Sequence, residues 1–476
     1  MTISIQKILK FLIIIFWLSV NIIIIFSDEN IFINYETILY INILFLSYYL
    51  LSWSNHVVTI IYTLIGIMFV LQRILVICFD ANNIAGKETN YILSAADIVY
   101  GIIFVILLNL SIIIFSLVSV NIRTYDRSQI NNGDFFFKIL RYYPYIYIIF
   151  WSIRISYMLK TGIGLSVNPG DFEHGLTTRL INFCLSANFL LYIGIFLCKK
   201  NNKIFILGLF LLLLNTILEA SKAALIGIVF QLLIAYLLTT SYKIKIKYIF
   251  LFGFIVFLSS VTLTPALMIF RSSALEILGN ISLMKIITLF FESLYSVNYL
   301  ILIKKSLLDI SERMALLEWL ALFVHIGRDS FTSNINMYHL LVDCINSLVP
   351  GDLIETNFLP VAKFITLIWK GWTTELHGEL PGGFGSLYLY FGFIGGVLVF
   401  NFIYFLICYF MNKCNIVISI ILVGMFIDFM IGGLLEAIFQ YFIENIVLII
   451  IFSIFIKIFD QFKRNKYLKV RHVFSS

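Results

Sequence analysis

Charged residues are scarce in this chain. They make up 12% of its 476 residues, whereas a soluble domain is typically about a quarter charged. Hydrophobic residues make up 61%, and the mean hydropathy is +1.00. A water-soluble fold of this composition could not cover its surface with polar side chains. Because apolar runs recur along nearly the whole chain, we predict one integral membrane domain over residues 1–476.

The sequence also has few cysteines, and it lacks the common enzyme motifs. Five of the six cysteines lie in or beside apolar segments, which does not predict a disulfide framework. The sequence has no phosphate loop, no dinucleotide glycine fingerprint, no Cys-x-x-Cys and no His-Glu-x-x-His. We therefore expect no metal and no cofactor. The net charge of +7 lies mostly in short loops, where membrane topology explains it, so we expect no nucleic-acid partner.

Long apolar runs are what the chain has in abundance. A helical span needs about twenty mainly apolar residues to cross about 30 Å of hydrocarbon. We therefore predict an all-α fold, a polytopic transmembrane helix bundle of about twelve spans embedded in the lipid bilayer. The runs are 9–26, 37–53, 56–79, 97–120, 142–159, 179–198, 203–219, 222–239, 247–268, 385–411, 414–433 and 439–458.

The positions of Lys and Arg predict the orientation of these spans. Basic residues such as Lys243, Lys245 and Lys247 fall in alternate short connections, and the C-terminal tail is basic as well. The intervening connections carry acidic residues such as Asp28 and Glu29. Since cytoplasmic loops are enriched in Lys and Arg, we expect both termini in the cytoplasm.

Residues 269–384 do not fit the alternation, because they are too many for a hairpin loop and are chemically mixed. We predict a large outward-facing segment here. The apolar stretches 281–307 and 314–324 are interrupted by charges, which is typical of amphipathic helices at the interface or of re-entrant pieces packed on the bundle. Alternatively, 281–307 is a thirteenth span, but the basic C-terminal tail would then lie outside.

Several cations are predicted at the outer ends of helices, against the positive-inside trend. Lys222 begins a span, Arg271 follows one, and Arg328 precedes Asp329 in the outer segment. Burying charge at such positions is costly and points to a function. The alternative is that each cation extends to lipid headgroups or pairs with a neighbouring carboxylate such as Asp329. The sequence leaves both interpretations open.

A polar, glycine-rich stretch precedes the predicted span at 385–411. It carries Glu375, His377 and Glu379. Histidine is the side chain that exchanges protons near neutral pH, so His377 is a candidate for chemistry. The alternative is a histidine that is merely hydrogen-bonded in a surface loop.

Three stretches resemble the Wzy-type oligosaccharide repeat-unit polymerases, also called O-antigen polymerases. The resemblance covers most of the chain as architecture and about forty residues as motif. At Lys222 this family usually has arginine, and lysine is a point charge that cannot bind a phosphate bidentately. The stretches are Ala220-Ser-Lys-Ala-Ala-Leu-Ile-Gly-Ile228, Arg328-Asp-Ser-Phe331 with Asn346-Ser-Leu-Val-Pro-Gly-Asp352, and Gly385-Ser-Leu-Tyr-Leu-Tyr-Phe-Gly-Phe-Ile-Gly-Gly396.

The resemblance implies a metal-independent glycosyltransferase in a bacterial inner membrane. It would polymerise repeat units linked to undecaprenyl diphosphate into surface polysaccharide, such as that of lipopolysaccharide, with a chain-length regulator as a further partner. Lys222, Arg271, Arg328 and Asp329 would bind the substrate, and His377, Glu375 or Glu379 would act as base. Two alternatives remain, a flippase of lipid-linked oligosaccharide and an O-antigen ligase.

Overall fold

The prediction of an all-α membrane protein is confirmed in its coarse form. The structure is a computed structural model. It describes residues 2–26, 35–54, 56–79, 93–118, 135–161, 187–218, 222–239, 243–258, 283–296, 316–327, 337–348, 382–413, 416–432 and 443–454, together with the shorter pieces 181, 184–185, 262–263, 265–267, 269–270, 364–365, 367, 435, 438, 441, 456–458 and 461.

Fifteen helices and two short strands make up the longer described ranges, and a single 3-10 turn, Lys199–Asn201, precedes α7. The helix over 443–454 is α15. The other elements are β1 Thr2–Ser4, α1 Ile5–Phe26, α2 Tyr35–Leu51, α3 Val57–Phe79, α4 Ala95–Val118, α5 Phe135–Thr161, α6 Phe189–Leu197, α7 Asn202–Leu218, α8 Lys222–Thr239, β2 Lys243–Lys245, α9 Ile246–Leu258, α10 Leu283–Ser296, α11 Leu316–Ile326, α12 Met337–Leu348, α13 Gly382–Lys413 and α14 Ile416–Gly432.

Three described helices are long and apolar enough to cross a membrane. They cover Ile5–Ile22, Ala95–Phe115 and Gly382–Met411, and seven further apolar helices are shorter. Large hydrophobic side chains are exposed along these helices, among them Phe11, Ile114 and Ile394. Exposed apolar surface of this extent fits a lipid environment. The count of twelve spans stays a prediction.

The two strands bring distant parts of the chain to one end of the bundle. β1 pairs antiparallel with β2, with Ile3 opposite Ile244. The turn after α2 lies at the same end, because the side-chain amide of Gln6 donates to the Ser54 carbonyl at 2.8 Å. We call this the near end of the bundle. Its position on the cytoplasmic side of a membrane stays a prediction.

A hydrogen-bonded network joins α2, α3 and α4 inside the bundle. The Tyr62 hydroxyl donates to the Asn109 carbonyl oxygen at 2.7 Å, and the Asn109 amide donates to the Ser47 hydroxyl at 2.7 Å. All three residues are buried. Gly66 makes room beside them, since an added Cβ would lie 2.3 Å from the Tyr48 ring. Polar contacts of this kind hold helices together where no water competes.

Helix α13 bends sharply at Gly392, which has φ 69° and ψ −167°. The Tyr62 ring centre lies 6.4 Å from that of Phe384 and 5.6 Å from that of Phe400. In a straight helix these two phenylalanines would be about 24 Å apart along the axis. The residues on either side of Gly392 therefore form a helical hairpin. Gly392 therefore divides the predicted span 385–411 into two helical arms, within the apolar run Gly382–Met411.

The hairpin has an ascending arm, 382–391, and a descending arm, 393–413. The descending arm runs to the near end, where the Cys408 sulfur lies 3.8 Å from a ring nitrogen of His56. The ascending arm begins inside the bundle, with Phe384 packed against Tyr62 and Phe69 of α3. It therefore starts at about the level of the middle of α3 and rises away from the near end.

Helix α11 also begins inside the bundle. It packs on α4 and α13. An added Cβ on Gly101 would lie 3.6 Å from the Leu317 carbonyl oxygen and 3.6 Å from the Ala321 nitrogen, while His325 contacts Asp97. Helix α11 thus runs antiparallel to α4 and ends where α4 begins, which we call the far end. The described part of 314–324 thus packs on the bundle, as the re-entrant alternative expects, and its position in a membrane stays a prediction.

Helices α10 and α12 are amphipathic. Met284, Phe291 and Tyr295 are exposed on α10, whereas Phe290 and Ser293 are buried. Helix α12 buries Leu340 and His339 and exposes a stripe of apolar side chains: Met337, Tyr338, Leu341 and Ile345. The interfacial alternative for 281–307 thus fits the described residues of α10.

Candidate functional site at the far end

Most of the site residues predicted from the sequence lie outside the described residues. This holds for Arg271, Arg328, Asp329 and the cluster of Glu375, His377 and Glu379. Lys222 is the first described residue of α8, and the predicted helix start at this position stays a prediction because residues 219–221 lie outside the described ranges. Its side chain lies outside the described set. The described elements that adjoin these residues nevertheless constrain where the chain passes.

The segment with Arg328 begins at the far end. Gly327 ends α11 with φ 81°, and its N–H donates to the Phe323 carbonyl at 3.2 Å. This is a left-handed helix cap of the kind that glycine favours. Arg328 is the next residue, so the chain reaches it directly from the far end of a helix packed against α4.

His377 precedes Gly382 by five residues in the sequence, and the ascending arm begins at Gly382 inside the bundle. Gly383 lies against α14, and an added Cβ there would come 3.0 Å from the Phe429 carbonyl oxygen. The helix that follows the segment with His377 thus starts within the bundle, and the prediction that this segment lies at an outer mouth concerns residues outside the described ranges.

The far end carries an Asp–His pair. The Asp97 Oδ2 atom lies 2.8 Å from His325 Nδ1. The Asp97 side chain is 13% exposed and that of His325 is 36% exposed. The imidazole is thus accessible, while its carboxylate partner is mostly covered. His325 also lies in the last turn of α11, where a helix dipole favours a positive charge.

Ser94 holds Asp97 in place through a capping box. The Ser94 hydroxyl and backbone N–H donate to Asp97 Oδ2 at 2.6 and 2.9 Å, and the Asp97 N–H donates to the Ser94 hydroxyl at 3.2 Å. This reciprocal arrangement satisfies the first N–H groups of α4. The carboxylate that contacts His325 is therefore fixed by the first turn of the long helix α4.

Two further polar residues are buried on α11 and on α13, which pack against each other. Glu318, in the first turn of α11, is 1% exposed, and a negative charge is favoured at a helix N-terminus. Ser386, on the ascending arm, is fully buried, and its hydroxyl has no hydrogen-bond partner among the described residues. Polar groups without partners are uncommon inside proteins, and they call for an explanation.

A carboxylate also lies within the apolar helix α14. Asp428 is exposed, although it stands within the apolar part of this helix. It is within electrostatic range of the Tyr192 and Tyr441 hydroxyls. Gly424, one turn earlier, faces the Tyr441 hydroxyl and the Phe189 ring. Ionisable groups in such positions commonly mark substrate or ion pathways.

Sequence reasoning missed the Asp97–His325 pair and Asp428. The Ser94-x-x-Asp97 spacing before an apolar run is a recognisable capping-box pattern. No sequence signal connected it to a histidine 228 residues later. Asp428 could have been found as a single acidic residue within a predicted span.

No protein-family model, curated protein or solved structure matches this chain. Among the residues that the structure describes, no group of three or more His, Cys, Asp and Glu side chains could hold a metal ion.

Proposed function

We propose that this chain is a glycosyltransferase that polymerises lipid-linked oligosaccharide repeat units at the outer leaflet of a bacterial inner membrane. The observation that supports this best is the anchoring of α11 at the far end. The contact between Asp97 and His325 fixes the last turn of this helix, and Arg328 follows after two residues. His325 thus lies at a fixed point at the far end of the bundle, and Arg328 is the third residue after it in the sequence.

The reaction needs both kinds of group. The donor is a glycan on undecaprenyl diphosphate, and its anionic leaving group is stabilised by cations. The acceptor is the terminal sugar of a second lipid-linked unit, whose hydroxyl must lose a proton to a base. In this proposal Arg271 and Arg328, with Lys222, bind the diphosphate, and Asp329 orients Arg328. A chain-length regulator is the proposed protein partner.

The identity of the base is the part that sequence leaves open. His377, Glu375 and Glu379 are its candidates from the sequence. All three precede the ascending arm in the sequence, and that arm begins inside the bundle with Phe384 packed against Tyr62.

A flippase of lipid-linked oligosaccharide is the second candidate, and one observation favours it. Helix α11 and the ascending arm both begin inside the bundle, and discontinuous helices near the midplane are typical of transporters. In many transporters, however, such helices occupy matching positions in two related halves. Here both follow residue 315, so the asymmetry favours an enzyme.

Reconstitution of the purified protein separates these functions. In vesicles with lipid-linked repeat units on the outer face, the polymerase should produce a ladder of longer glycans. Arg328→Ala and Arg271→Ala should abolish the ladder, and Arg328→Lys should restore only part of it if the contact is a bidentate phosphate fork. Arg141→Ala is the matched control, since Arg141 is exposed on α5. Movement of unextended units across the bilayer, without a ladder, would instead identify a flippase.

A further inference from the structure

We infer that the carboxylate of Asp428, with the hydroxyls of Tyr192 and Tyr441, forms a binding site for one small monovalent cation inside the bundle. The ligand is a hard ion such as Na⁺. The inference goes beyond the proposed function and does not depend on it, because ion binding can be measured without any turnover. It is carried by the packing around α14, which leaves one acidic side chain accessible among buried neighbours.

The accessible surface at Asp428 belongs to the interior of the bundle. Helix α14 packs on α13, α3 and α6. The residues directly before and after Asp428, Ile427 and Phe429, are each 1% exposed. On the face of the helix that carries Asp428, Ile421 and Gly424 lie two turns and one turn earlier, and both are buried. Asp428 is nevertheless exposed. Because α14 has no open flank at this level, the carboxylate faces a cavity between helices.

Two tyrosine hydroxyls from other parts of the bundle lie near this carboxylate. Tyr192 of α6 and Tyr441, which shortly precedes α15, are both within electrostatic range of Asp428 and of each other. The Tyr441 hydroxyl would lie 3.2 Å from a Cβ added to Gly424, one turn before Asp428. Since glycine has no side chain, this hydroxyl can approach α14 closely. Three parts of the chain thus contribute oxygen atoms to one place.

A further oxygen atom lies on the same face of α6. Asn188 precedes Tyr192 by four residues, and its backbone already has helical angles, so the two side chains stand one turn apart. The side-chain oxygen of Asn188 is buried and has no hydrogen-bond partner among the described residues. Buried polar atoms without a partner are uncommon. A cation with its water shell would supply one.

The charge of the cavity decides which cation fits. Among the residues that the structure describes, none forms an ion pair or a hydrogen bond with Asp428. One monovalent cation therefore neutralises this carboxylate, whereas a divalent ion would leave a positive charge in apolar surroundings, which is costly. Carboxylate, hydroxyl and amide oxygens suit hard ions rather than soft transition metals. The other carboxylate of this region is Glu444, which is half-buried and within electrostatic range of Tyr441.

The experiment measures thermal unfolding of the purified full-length protein in detergent while Na⁺ is varied and N-methylglucamine keeps the ionic strength constant. A ligand that binds only the folded protein raises its stability as the ligand concentration rises. We expect the Tm of the wild type to rise by about 2–4 °C between about 1 and 200 mM Na⁺. Asp428→Asn should lose this rise, and Glu444→Gln, the matched control, should keep it. Tyr192→Phe and Tyr441→Phe should each raise the half-saturating Na⁺ concentration about threefold or more.

Binding of radioactive Na⁺ to the same protein gives a second readout that does not depend on stability. We expect saturation at one ion per chain in the wild type and no saturable binding in Asp428→Asn. A Tm that is independent of Na⁺, or that rises equally in the wild type and in Asp428→Asn, would overturn the inference. A Tm that follows pH but not Na⁺ would overturn it as well, because the carboxylate would then hold a proton. Loss of the Na⁺ response in Glu444→Gln but not in Asp428→Asn would place the cation elsewhere.

Discussion

Gly396 lies directly against the carbonyl oxygen of Leu387, nine residues earlier in the same helix. An added Cβ on Gly396 would lie 3.1 Å from this oxygen and 3.0 Å from the Phe104 ring. Both neighbours are packed in the core, so neither can easily move. We expect Gly396→Ala to destabilise the protein by about 1–3 kcal/mol, as overpacking of a core typically does.

Thermal unfolding in detergent measures this effect, with Gly253→Ala as the matched control. Gly253 is also helical, but an added Cβ there would meet no atom within 4 Å. Alanine at that position should be neutral or slightly stabilising, because it is the better helix former. Equal losses of thermal stability in both variants would argue against a tight bend.

The bend itself can be tested at Gly392. Its φ of 69° with ψ of −167° lies in a region that is essentially restricted to glycine. Gly392→Ala should therefore cost about 1–3 kcal/mol of stability and broaden the unfolding transition. An alanine variant as stable as the wild type would mean that this part of α13 is a continuous helix.

The sequence predicts the class of the fold better than the course of the chain through the bundle. Apolar runs predicted an all-helical membrane protein, and long apolar helices make up the described part of the chain. The hairpin in α13 was not predictable, because Gly392, Gly395 and Gly396 suit close packing of a straight helix equally well. A glycine permits positive φ without requiring it.

The candidate site was less predictable, for a related reason. The Asp97–His325 contact joins residues from two distant parts of the chain, and no local pattern encodes it. The strands of the near end are only three residues long, and two of the three residues of β2 are lysines, so the sequence carries no strand signal for them. Chain topology creates these contacts, and a single sequence does not specify it.

Strand pairing at the near end predicts a specific cross-link. Ile3 is paired with Ile244, and side chains of directly opposed residues have Cβ atoms about 4.5–5.5 Å apart. In a variant without the native cysteines, Ile3→Cys with Ile244→Cys should form a disulfide under mild oxidation, visible as a gel shift after proteolysis between them. The diagonal pair Thr2→Cys with Lys243→Cys should cross-link much less. Equal yields would indicate a different register.

Labelling of single cysteines tests the predicted sidedness. Lys247 is exposed at the near end, and Ile345 is exposed on α12 of the segment predicted to face outward. In intact cells an impermeant maleimide should label Ile345→Cys, whereas Lys247→Cys should react only after the membrane is opened. The basic connection at 243–247 is the reason for this expectation. The reverse pattern would invert the topology and move the proposed site to the cytoplasmic face.

The last prediction concerns Asp428, whose carboxylate stands in the apolar part of α14 near the Tyr192 and Tyr441 hydroxyls. A charge in such surroundings costs stability, so its retention points to a function. We expect Asp428→Asn to raise the thermal stability of the protein while it lowers elongation by about tenfold or more, the usual trade-off for a functional polar residue. Glu292→Gln is the matched control, since Glu292 is exposed on α10. That variant should change neither property. Full activity of Asp428→Asn would leave the carboxylate without a role in transfer, whereas lower stability with normal activity would make it a structural partner of the two tyrosines.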